Sequence, residues 1–468
     1  MKLVRKHWVL LLILLAGAFL RLYRLPELMP FIADQGWYYM SARDMLLKGD
    51  IPLVGITSSH AWLHQGAFWT YILALMFKLF NFNPVVPAYF IASLGIVTIA
   101  LVYKLAGEMF SKKIALVSAF LFATSPLIIM DARFAYHTSP IPFFTALLLL
   151  SIYRWTNGNI RYFPFIVLLL GVLYNLEIAT FSLVGIVLMV LFYGFIRRKT
   201  WSLSLVNKKT IFLSVAGFFI PMIPMLLYDL SHGFPQTVKV VVWIFYRIAV
   251  FMGYPQINPN APGETWHTFF PFAFDLIQKL IFLPNVSLSL FLFLISLGVL
   301  SFKVYKNFMV RKNESSYVLI LLFVIIPTLA YIAAKTNSSA YLLIFYPQVV
   351  IMMALFFGKF MKSKQLTIIV CFLIIAIGFI NSYLSIKKNY LTGPSFTKRI
   401  EAANYIIKEA GRRPYNIVGK GEGSIYESFV MPHAYLTWWL GDGASGKNEN
   451  LKFYVWEYID RIVVKKSK

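Results

Sequence analysis

The chain has 468 residues, of which 59% are hydrophobic, 17% aromatic and only 13% charged, and its formal net charge is +25. Soluble domains are about a quarter charged, so a soluble globule is excluded. Nor does the positive charge point to nucleic acid: the basic residues cluster between apolar runs of about 20 residues, the length that crosses a hydrocarbon core of roughly 30 Å.

In chain order, Met1–His7 is basic and reads as cytoplasmic, and Trp8–Arg24 reads as the first membrane span. Ala16-Gly17-Ala18 faintly resembles a signal-peptidase site, but the apolar run continues to Leu20, which reads as a retained signal anchor. Residues 25–84 then form an outer loop. Within it 67–80 is apolar but too short to span, so it is expected to lie at the interface. Charge supports this: if 67–80 crossed the membrane, Lys112, Lys113, Arg197, Arg198 and Lys199 would all fall outside. Further spans are expected near 85–107, 114–130, 140–153, 162–176, 179–196, 210–228, 276–300, 317–334, 341–358 and 366–386, about eleven in all.

This topology places Asp34, Asp131, Glu177, Asp229, Glu264 and Asp275 on the outer side, with every histidine except His7. A second outer loop, 229–275, is rich in Pro and Gly and carries an aromatic, part-amphipathic stretch, Val240–Phe251, suited to a lid or an acceptor groove on the membrane. From 387 to 468 the chain turns polar. Phe396–Ala410 has helical spacing ended by Gly411, and Tyr415–Val418 and Leu451–Trp456 read as strands. The expected fold class is an all-α polytopic membrane module over 1–386 with a small extracytoplasmic α/β domain over 387–468. The lone Cys371 lies in an apolar run, so no disulfide framework exists.

Chemistry is expected at the outer surface. Asp34, just beyond the first span, is placed to act as a general base for an alcohol; the alternative is an interfacial carboxylate satisfied by backbone N–H groups. Arg133, in Asp131-Ala132-Arg133-Phe134-Ala135-Tyr136-His137, can hold a phosphate by paired hydrogen bonds, or can pair with Asp131 or a lipid headgroup. Lys335 offers a second cation, or simply snorkels. His60 and His64 stand four apart, as in helical metal sites, but no Glu follows the first. Phosphate-loop, dinucleotide-binding and nucleophile-elbow motifs are missing, which argues against nucleotide-driven chemistry.

From the first span to Pro347 the chain resembles the GT-C membrane glycosyltransferases, in the prokaryotic branch related to dolichyl-phosphate-mannose–protein mannosyltransferases and the lipid A aminoarabinose transferase. The segments that carry the resemblance are Asp34-Gln35, Leu63–Tyr71, Ala123–Pro126 with Ala132–Tyr136 and Ser139–Phe144, Tyr228–Pro235 and Tyr341–Pro347. The resemblance implies transfer of one sugar from a polyprenyl-phosphate donor to an acceptor hydroxyl on protein, lipid or polysaccharide, outside the cytoplasm and with inversion. It implies Asp34 as catalytic base and Arg133 and Lys335 on the donor phosphate. It places Gln35, Tyr38, His64, Asp131, His137, Asp229, His232 and Tyr341 around the substrates. The second acid usual in such proteins is Gln35 here, and an Asp frequent in the second outer loop is His137. A two-carboxylate metal site is therefore hard to build, and catalysis without a metal or other cofactor is expected. The competing expectations are a transporter or flippase of lipid-linked sugars, which calls for ionisable groups within spans, and a structural membrane protein.

Overall fold

A computed structural model describes residues 2–57, 63–254, 266–310, 315–334, 338–387 and 393–467. The helices are α1 (Lys2–Leu22), α2 (Leu25–Leu28), α3 (Ala33–Leu47), α4 (Phe68–Leu79), α5 (Val86–Met109), α6 (Lys112–Thr124) and α7 (Pro126–Asp131). They continue as α8 (Ile141–Thr156), α9 (Tyr162–Leu176), α10 (Ser182–Ile196), α11 (Thr200–Leu203), α12 (Lys208–His232) and α13 (Pro235–Phe251). After these come α14 (Trp266–Ile281), α15 (Val286–Met309), α16 (Ser315–Ala334), α17 (Tyr346–Phe360) and α18 (Lys364–Lys387). The tail adds α19 (Phe396–Ala410), β1 (Asn416–Lys420), α20 (Met431–Leu440), β2 (Lys452–Glu457) and β3 (Ile462–Lys466).

Among the described residues seven helical segments are long and apolar enough to cross a membrane, which makes this a multi-pass membrane protein. The expected count of about eleven is not confirmed. The spans expected at 8–24, 140–153 and 162–176 coincide with shorter apolar helices of 16, 16 and 15 residues. The one expected at 114–130 is broken into α6 and α7. Pro126 restricts the preceding Ser125 to an extended backbone (φ −67°, ψ 124°), which stops α6.

A second correction concerns 276–300. Two helices meet there, because Pro284 cannot continue α14 and Asn285 caps α15, its side chain accepting the Leu288 N–H at 2.8 Å. The short apolar segment near 67–80 is the 12-residue α4, as its length required.

The tail forms a three-stranded sheet of order β1-β2-β3, parallel between β1 and β2 and antiparallel between β2 and β3. α19 begins at the cap Ser395 and ends at Gly411, whose φ of 56° suits a residue without Cβ. The third strand and α20 carried no signal that the sequence reading used. A small core of Ile406, Ala410, Tyr415, Phe453 and Val455 holds the sheet to α19. Tyr435 and Leu436 of α20 instead join the core of the helical module. There Tyr435 stacks on Phe77 at 5.6 Å and donates to the Phe82 carbonyl at 2.7 Å. Tyr435 also meets Tyr39 of α3 at 5.2 Å, and the Ser428 hydroxyl reaches Asp34, so the tail is docked beside that carboxylate.

Candidate functional site

α3 starts where the Gln35 side-chain oxygen accepts the Ile32 N–H at 3.2 Å, so Asp34 occupies the first turn, favourable for a carboxylate. Asp34 is half-buried. Its Oδ2 accepts the Tyr136 hydroxyl at 2.9 Å and its Oδ1 accepts the Ser428 hydroxyl of the tail at 2.8 Å. Side-chain hydroxyls, one from each of two distant segments, therefore hold the carboxylate.

A buried polar cluster continues from Asp34. Glu177 accepts the Gln65 amide at 3.1 Å and the Ala179 N–H at 3.3 Å, and its Oε2 lies 3.5 Å from His137 Nε2. Burial, reinforced by the charges of Glu177 and Asp34, raises the Tyr38 hydroxyl well above its ordinary pKa, so Tyr38 stays neutral between two carboxylates. His137 packs 4.1 Å from the Tyr136 ring and 5.2 Å from that of Tyr38.

The 131–137 loop also borders a cavity of about 160 Å³, walled among others by Asp131, Arg133, Phe134, Asp275, Lys279 and Ser339. Arg133 is only 6% exposed and donates to the Leu20 carbonyl. Burial lowers its pKa to about 10, which leaves it a cation at neutral pH. Asp131 does not pair with Arg133. Burial pushes its carboxyl up to about 7, against the hydrogen bond donated by Tyr346. Asp34 is not among the residues that wall the cavity.

The remaining expected residues group elsewhere. Asp229 is buried and accepts from Gln236 N (2.6 Å), Thr237 N (2.9 Å) and Thr237 Oγ1 (2.6 Å), which caps the start of α13. Gln236 in turn accepts the His64 N–H at 3.1 Å, while the His64 ring bonds the Gly55 carbonyl at 3.1 Å. Burial lowers the His64 pKa; Gly55 opposes this and Lys239 adds to it. His232 is exposed and stacks on Tyr228 at 4.2 Å. Gln35 is fully buried, and Tyr341 is half-buried on the helical turn Ser339–Phe345. Lys335, His60 and Glu264 lie outside the described residues. Among the described residues no three His, Cys, Asp or Glu side chains form a group able to hold a metal.

Glu177, Ser428, Tyr136 and Arg21 are not among the site residues expected from the sequence. Glu177 is a lone acid between two apolar runs, an expensive placement that marks a polar site. Ser428 lies 394 residues from Asp34 and has no local signature. Arg21, fully buried in α1, donates to the carbonyls of Gly17, Phe122 and Ala123 at 3.1–3.2 Å. It thus satisfies the carbonyl end of α6 where the helix breaks. A charged residue within a span is what a transport reading calls for, but this one is engaged by backbone.

An apolar helical bundle with a carboxylate-bearing helix just after the first span is the GT-C membrane fold, the class expected from the resemblance. Residues 64–228 match the family described as dolichyl-phosphate-mannose-protein mannosyltransferase. An uncharacterized protein of Aquifex aeolicus (strain VF5) is 30% identical over 191 residues, 40% of this chain and 38% of that protein. The archaeal oligosaccharyltransferase AglB from Archaeoglobus fulgidus, in complex with an inhibitory peptide and a dolichol-phosphate, superposes with a TM-score of 0.60 at 14% identity. That match covers 92% of this chain and 64% of that chain. ArnT from Cupriavidus metallidurans in the apo state gives 0.59 at 12% identity over 97% and 93% of the two chains. With undecaprenyl phosphate bound, ArnT gives 0.53 at 13% identity over 93% and 76%. The chain thus spans less than two thirds of the archaeal enzyme and of the Aquifex protein, and at these identities the solved structures establish the fold alone.

Proposed function

We propose that the chain is an integral membrane glycosyltransferase that moves a single sugar from a polyprenyl-phosphate donor to an acceptor hydroxyl on the extracytoplasmic side. The acceptor oxygen attacks the anomeric carbon, the bond from that carbon to the phosphate oxygen breaks, and the configuration inverts. Asp34 takes the hydroxyl proton, and the polyprenyl phosphate leaves against Arg133 and Lys335. Donor phosphate chemistry needs a base, a cation and positioning.

The observation that carries this reading is the 131–137 loop. It contributes Arg133 to the cavity wall and, three residues on, holds Asp34 through Tyr136. The fold shared with AglB and ArnT, whose structures hold dolichol-phosphate and undecaprenyl phosphate, supports a lipid-phosphate donor. Lys335 is three residues before Ser338, and Ser339 is part of the cavity wall. The carboxylates gather opposite the basic loops, which supports an N-terminus inside and a reaction outside. The reading assigns no metal or other cofactor to the step. Protein, lipid and polysaccharide acceptors all fit it.

The test is to incubate purified protein with a panel of polyprenyl-phosphate sugars and measure lipid phosphate release with and without acceptor extracts. Asp34→Asn is expected to lower acceptor-dependent release by about 10²-fold or more, the usual contribution of a general base. Release that stays near the wild-type rate in Asp34→Asn removes the base assignment.

A further inference from the structure

The two faces of the tail sheet differ in chemistry. Phe453, Val455 and Val464 turn to α19 and belong to the tail core. Side chains alternate across a strand, so Lys420, Lys452, Tyr454, Trp456, Val463 and Lys465 take the opposite face. Contacts between the strands agree with this. Lys420 Nζ stands 5.5 Å from the centre of the Tyr454 ring, and Lys465 Nζ 5.5 Å from that of Trp456. The Tyr454 and Trp456 rings neighbour each other at 6.5 Å. Both are half-buried, and neither joins the core of the tail or of the helical module.

A sheet face turned to water is expected to be polar, yet this one has two large rings at its centre. Its outward strand positions hold three lysines and no acid. On the inner side, by contrast, Lys466 pairs with Glu409 at 3.0 Å and Arg399 with Glu457 at 2.6 Å. An ammonium resting on an exposed ring is held weakly and turns readily to an anion. A sugar ring stacks its C–H face on an aromatic ring and leaves its hydroxyls at the rim for polar side chains. Two rings flanked by cations on a flat sheet therefore match a glycan that carries carboxylates or phosphate diesters. A bilayer surface calls instead for apolar side chains that protrude, and both rings here are half-buried. The face is also tied to the candidate site. From its Lys420 end the chain runs on to Ser428, whose hydroxyl bonds Asp34. That stretch reaches at most about 28 Å when fully extended. It leaves from beside the Trp456 ring, since a Cβ on Gly421 meets Trp456 Cδ1 at 3.2 Å.

We propose that the outer face of the tail sheet binds the acceptor, an anionic polysaccharide. Tyr454 and Trp456 stack on its sugar rings, and Lys420, Lys452 and Lys465 hold its carboxylates or phosphate diesters. The proposal deepens the glycosyltransferase reading and rests on it for the role of the bound glycan as acceptor. A glycan that leaves the face at the Lys420 end is within one loop length of Asp34.

The experiment measures equilibrium binding of the full chain in detergent to polygalacturonate and to a phosphomannan. Dextran, polyglutamate and phosphatidylglycerol vesicles probe sugar alone, charge alone and a membrane surface. At least one of the acidic glycans is expected to bind more tightly than dextran and polyglutamate. Trp456→Ala and Tyr454→Ala should each weaken that binding about three- to tenfold, the equivalent of one aromatic contact. Trp456→Phe, which keeps a ring, should retain it. Lys465→Met should weaken it about threefold and flatten its salt dependence. Hydrogen exchange of α20 shows that the tail stays folded in each variant; should Trp456→Ala loosen it, Trp456→Phe and Lys465→Met carry the test. Binding of neither acidic glycan overturns the proposal. So does polyglutamate binding as tightly, or full binding by a folded Trp456→Ala. Vesicle binding that is lost in the same variants overturns it in favour of a membrane contact. Because the readout is binding, a failed transfer assay with Trp456-dependent glycan binding intact overturns the transferase reading alone.

Discussion

Gly36 is a point of close approach between the tail and the helix that carries Asp34. A Cβ built there falls 2.3 Å from Pro432 N, 2.5 Å from the Met431 carbonyl carbon and 2.6 Å from Pro432 Cδ. Two of these atoms are backbone, so no side chain can swing aside, and α20 has to retreat by about 1 Å to restore van der Waals contact. Two effects compete in Gly36→Ala. Alanine in a helix interior is favoured over glycine by about 0.5–1 kcal/mol. Against this stand overpacking, about 1–3 kcal/mol, and loss of the Ser428–Asp34 hydrogen bond, about 1.5–3 kcal/mol for a charged acceptor. The clash wins, and tail docking is weakened by roughly 2–4 kcal/mol, or about 30- to 1000-fold in the docked population. Hydrogen exchange of the amides of α20, in the purified full chain, reads this directly and should accelerate by about 10²-fold while the amides of α5 stay protected. Unchanged or slower exchange in α20 would show that the approach relaxes freely and that the tail is not seated on Gly36.

Two further outcomes concern pH. Burial pushes the Glu457 carboxyl up, but the hydrogen bond with His433 at 2.8 Å and the Arg399 guanidinium at 2.6 Å outweigh it and hold the pKa below 4.5. A depressed carboxylate stabilises the fold above its unfolded value and loses that contribution as the pH falls below about 4.5, so tail protection should decline there. Glu457→Gln should remove this acid slope and weaken the tail at pH 7 by about 3 kcal/mol, since Arg399 is left buried without its partner. Asp131 has the opposite sign. Its raised pKa makes its contribution full below 3.8 and lost as the pH rises through about 7. Asp131→Asn should therefore raise the melting temperature at pH 8, with the gain shrinking towards pH 4; a gain independent of pH refutes the assignment.

The helical module was legible because a membrane helix needs a long apolar run, and such runs can be read one segment at a time. The breaks were harder. Pro284 and Asn285 interrupt an apolar stretch that reads as continuous from 276 to 300, and Ser125-Pro126 does the same to 114–130, because span-seeking sums hydropathy over a window that one proline barely changes. Asp34 and Arg133 could be singled out from their positions beyond spans. Ser428 could not, since its partner is set by how the tail docks, and docking depends on the shape of α20 against Gly36. The resemblance places Asp229 near the substrates, and its hydrogen bonds also cap the start of α13. A single acidic residue next to a helix start is ambiguous until those N–H groups are located.

The 131–137 loop joins the two halves of the site, and its aromatic residues make that connection testable. Phe134 is part of the cavity wall and stacks on Tyr136 at 4.8 Å and 9°, and Tyr136 holds Asp34. The stack is worth about 0.5–1.5 kcal/mol beyond burial, enough to fix the Tyr136 hydroxyl on the carboxylate. Phe134→Leu keeps an apolar wall but removes the planar contact. Farnesyl phosphate binding should then stay within about twofold, while sugar transfer falls about three- to tenfold, the rate equivalent of that stacking energy. If the two fall together, Phe134 serves only the cavity, and Asp34 is positioned independently of it. If neither falls, Tyr136 is held by its His137 and Tyr38 neighbours, and the loop is two separate walls rather than one connected element.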